Sequence, residues 1–195
     1  MKVVNIVLFD NFTALDAFGP AEVFSRFKEN FEIRYFSLNG GFVSSSISCP
    51  CLTEKLQETS QSDILLIPGG FGTRIEVANE LLITKIRSLA EKSEFVLCVC
   101  TGSALLAKTG LLDGKKATSN KLAWNWVVEQ NKKVDWIRQA RWVVDGKYYT
   151  SSGITAGIDM SLGFISDTIG YEQAQKASRS LEYLWNTNKD FDLFS

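Results

Sequence analysis

The sequence predicts an α/β fold, a three-layer sandwich with a mostly parallel central sheet. Two apolar runs, Asp63-Ile64-Leu65-Leu66-Ile67 and Glu94-Phe95-Val96-Leu97-Cys98-Val99, are continuous rather than alternating, as in strands covered on both faces. Each run ends in a turn built on small residues, Pro68-Gly69-Gly70 and Cys100-Thr101-Gly102-Ser103. Stretches with helical spacing alternate with short strands along the chain, the pattern of a parallel sheet flanked by helices.

The elements follow in order. Residues 3–9 form an apolar first strand. Residues 15–27 have helical spacing, but Gly19-Pro20 interrupts them. Proline is best tolerated in a first helical turn, so the regular helix is expected to start near Pro20. Residues 31–38 suit a strand, and Asn39-Gly40-Gly41 suits a turn. Residues 42–48 suit a short edge strand, and the polar segment 49–61 favours no element. After the strand at 63–67 comes an amphipathic helix at 81–92. The strand at 94–99 leads without a linker into a helix that ends at Gly110 or Gly114. Residues 117–119 read as a short strand and 122–129 as a helix. Residues 141–151 read as a hairpin around Asp145-Gly146. Two closing helices are expected at 154–169 and 172–185.

The 195 residues suffice for one domain with a substantial core, and a single domain over 1–195 is expected. With 21 basic and 22 acidic side chains, no basic surface for nucleic acid stands out. The apolar start is too short for a membrane span, and Asp10-Asn11 stops it without a cleavage site, so no leader is expected. Four cysteines do not form a disulfide framework, and a reducing cytoplasm is the default. There is no histidine. That excludes Ser-His-Asp and Cys-His-Asp triads and histidine-ligated metal within one chain. No metal or cofactor is expected.

Cys100 is the leading candidate for chemistry. In a sharp strand-to-helix turn it lies near backbone N–H groups without intrahelical partners, which favour a thiolate and lower a thiol pKa by about one to several units. The plain alternative is a small core side chain, and Cys98, within the strand, keeps that reading. Asp16 is either a helix cap or a buried carboxyl facing the cysteine, kept protonated and acting as an acid. Glu22 lies further into the helix. Gly69 and Gly70 form a strand-end turn, or bring backbone N–H groups to a substrate with Thr101 as the second donor. The run Gly153-Ile154-Thr155-Ala156-Gly157 suits close packing, and Ile154 is a candidate pocket wall. The five tryptophans, Trp124 and Trp126 among them, are read as packing.

Together these motifs resemble the ThiJ/PfpI superfamily, a branch of the flavodoxin-like class I glutamine amidotransferase fold. The likeness runs through Leu15-Asp16-Ala17-Phe18-Gly19-Pro20, Leu66-Ile67-Pro68-Gly69-Gly70, Val99-Cys100-Thr101-Gly102-Ser103, Gly110-Leu111-Leu112-Asp113-Gly114-Lys115-Lys116-Ala117-Thr118 and Gly153-Ile154-Thr155-Ala156-Gly157-Ile158-Asp159. Within the superfamily the chain looks most like the isocyanide hydratase branch and the amidotransferase-like halves of AraC-type regulators. Those regulators add a C-terminal helix-turn-helix region, which this chain is expected to lack. The resemblance implies a homodimer, an Asp16 carboxyl hydrogen-bonded to a nucleophilic Cys100, and Gly70 and Thr101 amides at the pocket. Two positions depart from the pattern. PfpI-type proteases place histidine directly after the cysteine, where this chain has Thr101, which argues against peptidase activity. The hydratase and regulator branch places histidine after a Thr-Thr pair, where this chain has Thr118-Ser119-Asn120, so Asn120 is expected to stand behind the reacting groups where that histidine would.

The leading expectation is a cofactor-free, cysteine-dependent hydratase of isocyanides or similar small electrophiles, giving N-substituted formamides. The alternatives are a glyoxalase or deglycase acting on α-oxoaldehydes, disfavoured by the missing histidine, and a non-enzymatic cysteine redox sensor or stress-response binding protein.

Overall fold

The computed structural model describes residues 1–57 and 62–195. The chain begins with β1 (Lys2–Val7), α1 (Ala14–Ser25) and β2 (Phe31–Ser37). The hairpin strands β3 (Gly41–Ser44) and β4 (Pro50–Lys55) follow, then β5 (Ile64–Ile67), the single turn α2 (Thr73–Glu76) and α3 (Glu80–Lys92). Next come β6 (Phe95–Cys98), α4 (Gly102–Lys108), β7 (Lys116–Ala117), α5 (Trp124–Gln130) and β8 (Asp135–Trp136). The chain closes with β9 (Trp142–Asp145), β10 (Tyr148–Ser151), α6 (Ala156–Thr168) and α7 (Tyr171–Ser180).

The main sheet has the order β3-β4-β2-β1-β5-β6-β10-β9. Pairing is parallel from β4 through β10, with β3 and β9 added antiparallel at the two edges. Strands β7 and β8 make a separate small parallel pair. Helix α6 packs against α1 and α7, and α4 packs with α2, α3 and α5. The continuous apolar runs are the central strands: Ile64 to Ile67 and Val96 to Cys98 are fully buried. Helices on both faces explain why these strands carry no polar alternation.

The chain builds outward from β1 to β2 and β4, then crosses back to place β5, β6 and β10 on the other side of β1. In open parallel sheets the loops at the carboxyl ends around such a reversal form a crevice. The segments after β1, β5 and β6 therefore emerge side by side, although 16, 69 and 100 are far apart in sequence.

Four local expectations are corrected. Helix α1 starts at Ala14, so Pro20 lies inside it. The proline removes only the hydrogen bond that the Asp16 carbonyl would accept, and tertiary packing outweighs that loss. A Cβ at the neighbouring Gly19 would come within 2.8 Å of Ile158 Cγ1, so α1 and α6 meet closely here. Part of the segment 49–61 is strand β4, whose largely exposed side chains give no hydrophobic pattern. It is held by backbone pairing to β2 and β3, while 58–61 lie outside the described residues. Helix α7 stops at Ser180 rather than 185, because Glu182 takes φ +49° and turns the chain. That turn lets Trp185 fold back and donate from Nε1 to the Asp159 carbonyl. Of the strand expected at 117–119, only Ala117 lies in β7, which pairs with β8.

Candidate active site

Cys100 follows β6 at the strand-to-helix turn with φ +57°, in the left-handed region that L-residues with a Cβ avoid. The surroundings pin this conformation. Its N–H donates to the carbonyls of Ser151 and Ser152 at the end of β10. Its carbonyl accepts from Ser103 Oγ at 3.1 Å and Ser119 Oγ at 2.8 Å. Strain of about 1–3 kcal/mol is thereby held in place, and the side chain is aimed into a cavity of about 320 Å³. Cys100, Thr101 and Gly70 line it together with Asn120, Leu122 and Ile154. Phe71 and Arg74, from α2 and the turn before it, line it as well.

Asp16 sits in the first turn of α1, fully buried. Its Oδ2 accepts the Gly69 N–H at 3.0 Å. Its carboxyl and the Cys100 thiol lie close enough to shift each other's titration, while Oδ1 has no hydrogen-bond partner. Burial raises the Asp16 pKa to about 7, with the Gly69 N–H and the Cys100 side chain opposing the rise. Asp16 is therefore no helix cap; Thr13 occupies the cap position.

The thiol itself departs from the sequence-based expectation. Burial pushes its pKa up, the Asp16 carboxylate pushes the same way, and the Thr101 N–H and hydroxyl only partly oppose them. Helix α4 has seven residues and contributes little dipole beyond those donors. The resting site thus holds a thiol beside a carboxyl that titrates near neutrality, rather than a preformed thiolate.

The two glycines hold this pair. A Cβ at Gly69 would lie 2.5 Å from Thr101 N and 2.9 Å from Cys100 Cβ, so only glycine fits. Gly70 has φ +127°, and a Cβ there would meet Asn11 O and Thr13 N at 2.5 Å. The Gly70 N–H, expected as a donor to substrate, donates to Thr101 Oγ1 at 3.0 Å. Thr101 is buried, and Thr73 Oγ1 ties into the same cluster, at 2.7 Å from the Gly70 carbonyl and 3.0 Å from Thr101 Oγ1. Asn120 lines the cavity itself, and its Oδ1 accepts the Ala123 N–H at 2.9 Å. Ile154 lines the same cavity and is 40% exposed. Glu22 lies on the surface, paired with Arg26.

Sequence reasoning missed Arg74 and Trp126. The Arg74 guanidinium carbon lies 3.5 Å from the Trp126 ring centroid, and the arginine lines the cavity that contains Cys100. The only local signal was a cation shortly after Gly69-Gly70, because its aromatic partner is some fifty residues away. Among the described residues, no group of three or more His, Cys, Asp or Glu is placed to hold a metal ion, and no helix is long and apolar enough to cross a membrane.

A parallel sheet with a strained cysteine after β6 and a buried carboxyl after β1 defines a class of cysteine-elbow α/β proteins. A DJ-1/PfpI family model matches residues 1–167, and the chain belongs to that family. It is 30% identical over 181 residues to isonitrile hydratase of Pseudomonas putida, covering 92% of this chain and 78% of that protein. It is 28% identical over 166 residues to the HTH-type transcriptional regulator CdhR of Pseudomonas aeruginosa, covering 84% of this chain. That match spans 49% of the regulator, about half its length. Among solved structures, a ThiJ/PfpI family protein from Pseudomonas syringae superposes with a TM-score of 0.85 at 23% identity, over 93% of this chain and 75% of that one, a likeness of fold.

Proposed function

We propose that this protein is a cofactor-free hydratase of isocyanides or closely similar small electrophiles, with Cys100 as nucleophile and Asp16 as its proton-transfer partner. The observation that carries the reading is the fully buried Asp16 carboxyl, held by the Gly69 N–H near the cavity-lining Cys100 thiol, in a chain without histidine. The relationship to isonitrile hydratase supports the substrate class.

The thiol proton passes to the Asp16 carboxylate as sulfur attacks the terminal isocyanide carbon. Asp16 returns that proton to the same carbon, giving a thioimidate bonded to Cys100. Water adds across its C=N bond, placing OH on carbon and H on nitrogen. The C–S bond then breaks as the hydroxyl proton leaves to Asp16, releasing the N-substituted formamide. Return of that proton to sulfur restores the pair, so the net change is isocyanide plus water to formamide. This is nucleophilic catalysis with one acid/base group. The Thr101 N–H, which favours the ionised sulfur, stabilises the charge that develops during attack and release. The working form is proposed to be a cytoplasmic homodimer that acts on small molecules.

Incubation with a simple neutral isocyanide is expected to yield formamide, and Cys100→Ala is expected to lose about 10³-fold or more of that rate. Equal rates for the two proteins would overturn the role of Cys100. Consumption of methylglyoxal without any isocyanide turnover would favour the α-oxoaldehyde chemistry instead.

A further inference from the structure

Among the described residues, Arg74 is the only charged side chain lining the Cys100 cavity. It is exposed, and among the described residues no carboxylate pairs with it. Its face is covered by Trp126 at 3.5 Å. Stacking fixes the plane of a guanidinium and leaves its N–H edges available for a forked, in-plane partner. The backbone beneath it is also fixed, because the adjacent Thr73 is buried and bonded into the Gly70–Thr101 cluster. Arg74 is close enough to Cys100 for the two to interact electrostatically.

The surroundings extend the same charge. A second cavity of about 510 Å³ shares Asn120, Leu122 and Ile154 with the first. It adds Lys121, Arg138 and Arg141 against a single lining acid, Asp192. Arg141 is already committed to Asp159. The Lys121 ammonium donates to Thr118 Oγ1 and the Ala140 carbonyl. Lys121, Arg138 and Arg141 line only the second cavity, so among the described residues the cation that lines the cavity holding Cys100 is Arg74.

We propose that Arg74 is a specificity-determining residue that selects small electrophiles bearing a carboxylate, gripping that group while the electrophilic carbon meets Cys100. Two N–H···O bonds from one guanidinium to one carboxylate satisfy the charge and set the direction in which the substrate points. The inference rests on the proposed reading for its electrophile chemistry, but it can be tested without turnover.

The test compares alkylation of Cys100 by iodoacetate and by iodoacetamide, followed peptide by peptide by mass spectrometry. The exposed Cys49 serves as the reference thiol in the same sample. The iodoacetate-to-iodoacetamide rate ratio at Cys100 is expected to exceed that at Cys49 by about tenfold, and Arg74→Met should bring the two ratios together. Arg74→Lys should keep part of the preference, and salt should weaken it. Equal ratios in the wild type and Arg74→Met would overturn the proposal.

A second pair of probes, isocyanoacetate and its methyl ester, separates the two ideas. The wild type is expected to hydrate the carboxylate faster, and Arg74→Met should reduce that preference. If neither compound turns over while the alkylation ratio still depends on Arg74, the hydratase reading fails and the anion site stands. If the ester is hydrated as well as the acid by both proteins, the anion site fails and the hydratase reading stands.

Discussion

Cys98 and Cys100 are two residues apart, both buried, and chemically unlike. Cys98 is the last residue of β6, fully enclosed, and its thiol is pushed up by burial alone. Cys100 is also pushed up by burial, but it has partners: Asp16 on one side and the Thr101 N–H and hydroxyl on the other. It also has a positive φ that turns it out of the strand and toward the cavity. A thiol with a nearby proton acceptor and a route to solvent can react, whereas a thiol surrounded by hydrocarbon cannot ionise at useful cost. On the proposed reading, reactivity is set by what the turn brings to the sulfur, not by how buried the sulfur is.

The strongest way to break this contrast is to swap which cysteine is removed. Cys100→Ala should abolish both isocyanide turnover and alkylation in the cavity. Cys98→Ala should change the Cys100 alkylation rate by less than about twofold while lowering stability by roughly 1 kcal/mol, the ordinary cost of a small core deletion. Rates read by peptide mass spectrometry and a urea titration of each variant check both halves. Loss of Cys100 reactivity in folded Cys98→Ala protein would show that the strand cysteine participates.

The legible part of this contrast was the backbone. Continuous apolar runs marked β5 and β6, and the Cys-Thr-Gly-Ser turn marked a strand-to-helix junction, because burial and glycine freedom leave a local signature. Asp16 was legible as either a helix cap or a buried carboxyl facing the cysteine, but the choice between them was not, since its burial depends on Gly69, which follows β5. Pro20 misled the helix start because the close fit of Gly19 against Ile158 is a tertiary fact. Strand β4 was silent because backbone pairing, not side-chain burial, holds it. The Arg74–Trp126 stack joins two segments that only the fold brings together. The lowered thiol pKa expected from the helix terminus did not survive a short helix, deep burial and an adjacent carboxylate.

Asp16→Asn removes the feature that most distinguishes the two cysteines. In the wild type, kcat/KM should rise with pH through about 7 as Asp16 gives up its proton and becomes the acceptor for the thiol. The variant should lose that rise and about 10²–10⁴-fold in rate. Stability carries the opposite sign. The folded pKa of Asp16 is raised from 3.8 to about 7, so across that window the folded state keeps a proton that the unfolded state releases. The stability of the wild type therefore falls as pH rises from about 4 to about 7 and levels off above. Asp16→Asn should be more stable than wild type at pH 8, by up to about 4 kcal/mol, with the gap closing toward pH 4. Denaturant titrations at the two pH values measure this, and a gap that widens toward low pH would contradict the buried, proton-holding carboxyl.

Thr101→Val sharpens the comparison with the smallest perturbation. Valine keeps the shape of the side chain and the Thr101 N–H but deletes Oγ1, which accepts from the Gly70 N–H and lies 3.0 Å from Thr73 Oγ1. The Gly70 N–H then loses its partner, at a cost of about 1–3 kcal/mol. The hydroxyl is also one of the two Thr101 groups that hold the thiol pKa down. Without it, Cys100 should ionise less readily and react several-fold more slowly with iodoacetamide at fixed pH. Cys98, which Thr101 does not influence, should remain as unreactive as before. If Thr101→Val slows Cys100 without moving the pH at which its alkylation rate rises, the hydroxyl acts by holding the Gly70 turn in place. If that midpoint moves upward, the hydroxyl acts on the sulfur directly, and the difference between the two thiols rests on partners supplied by the turn.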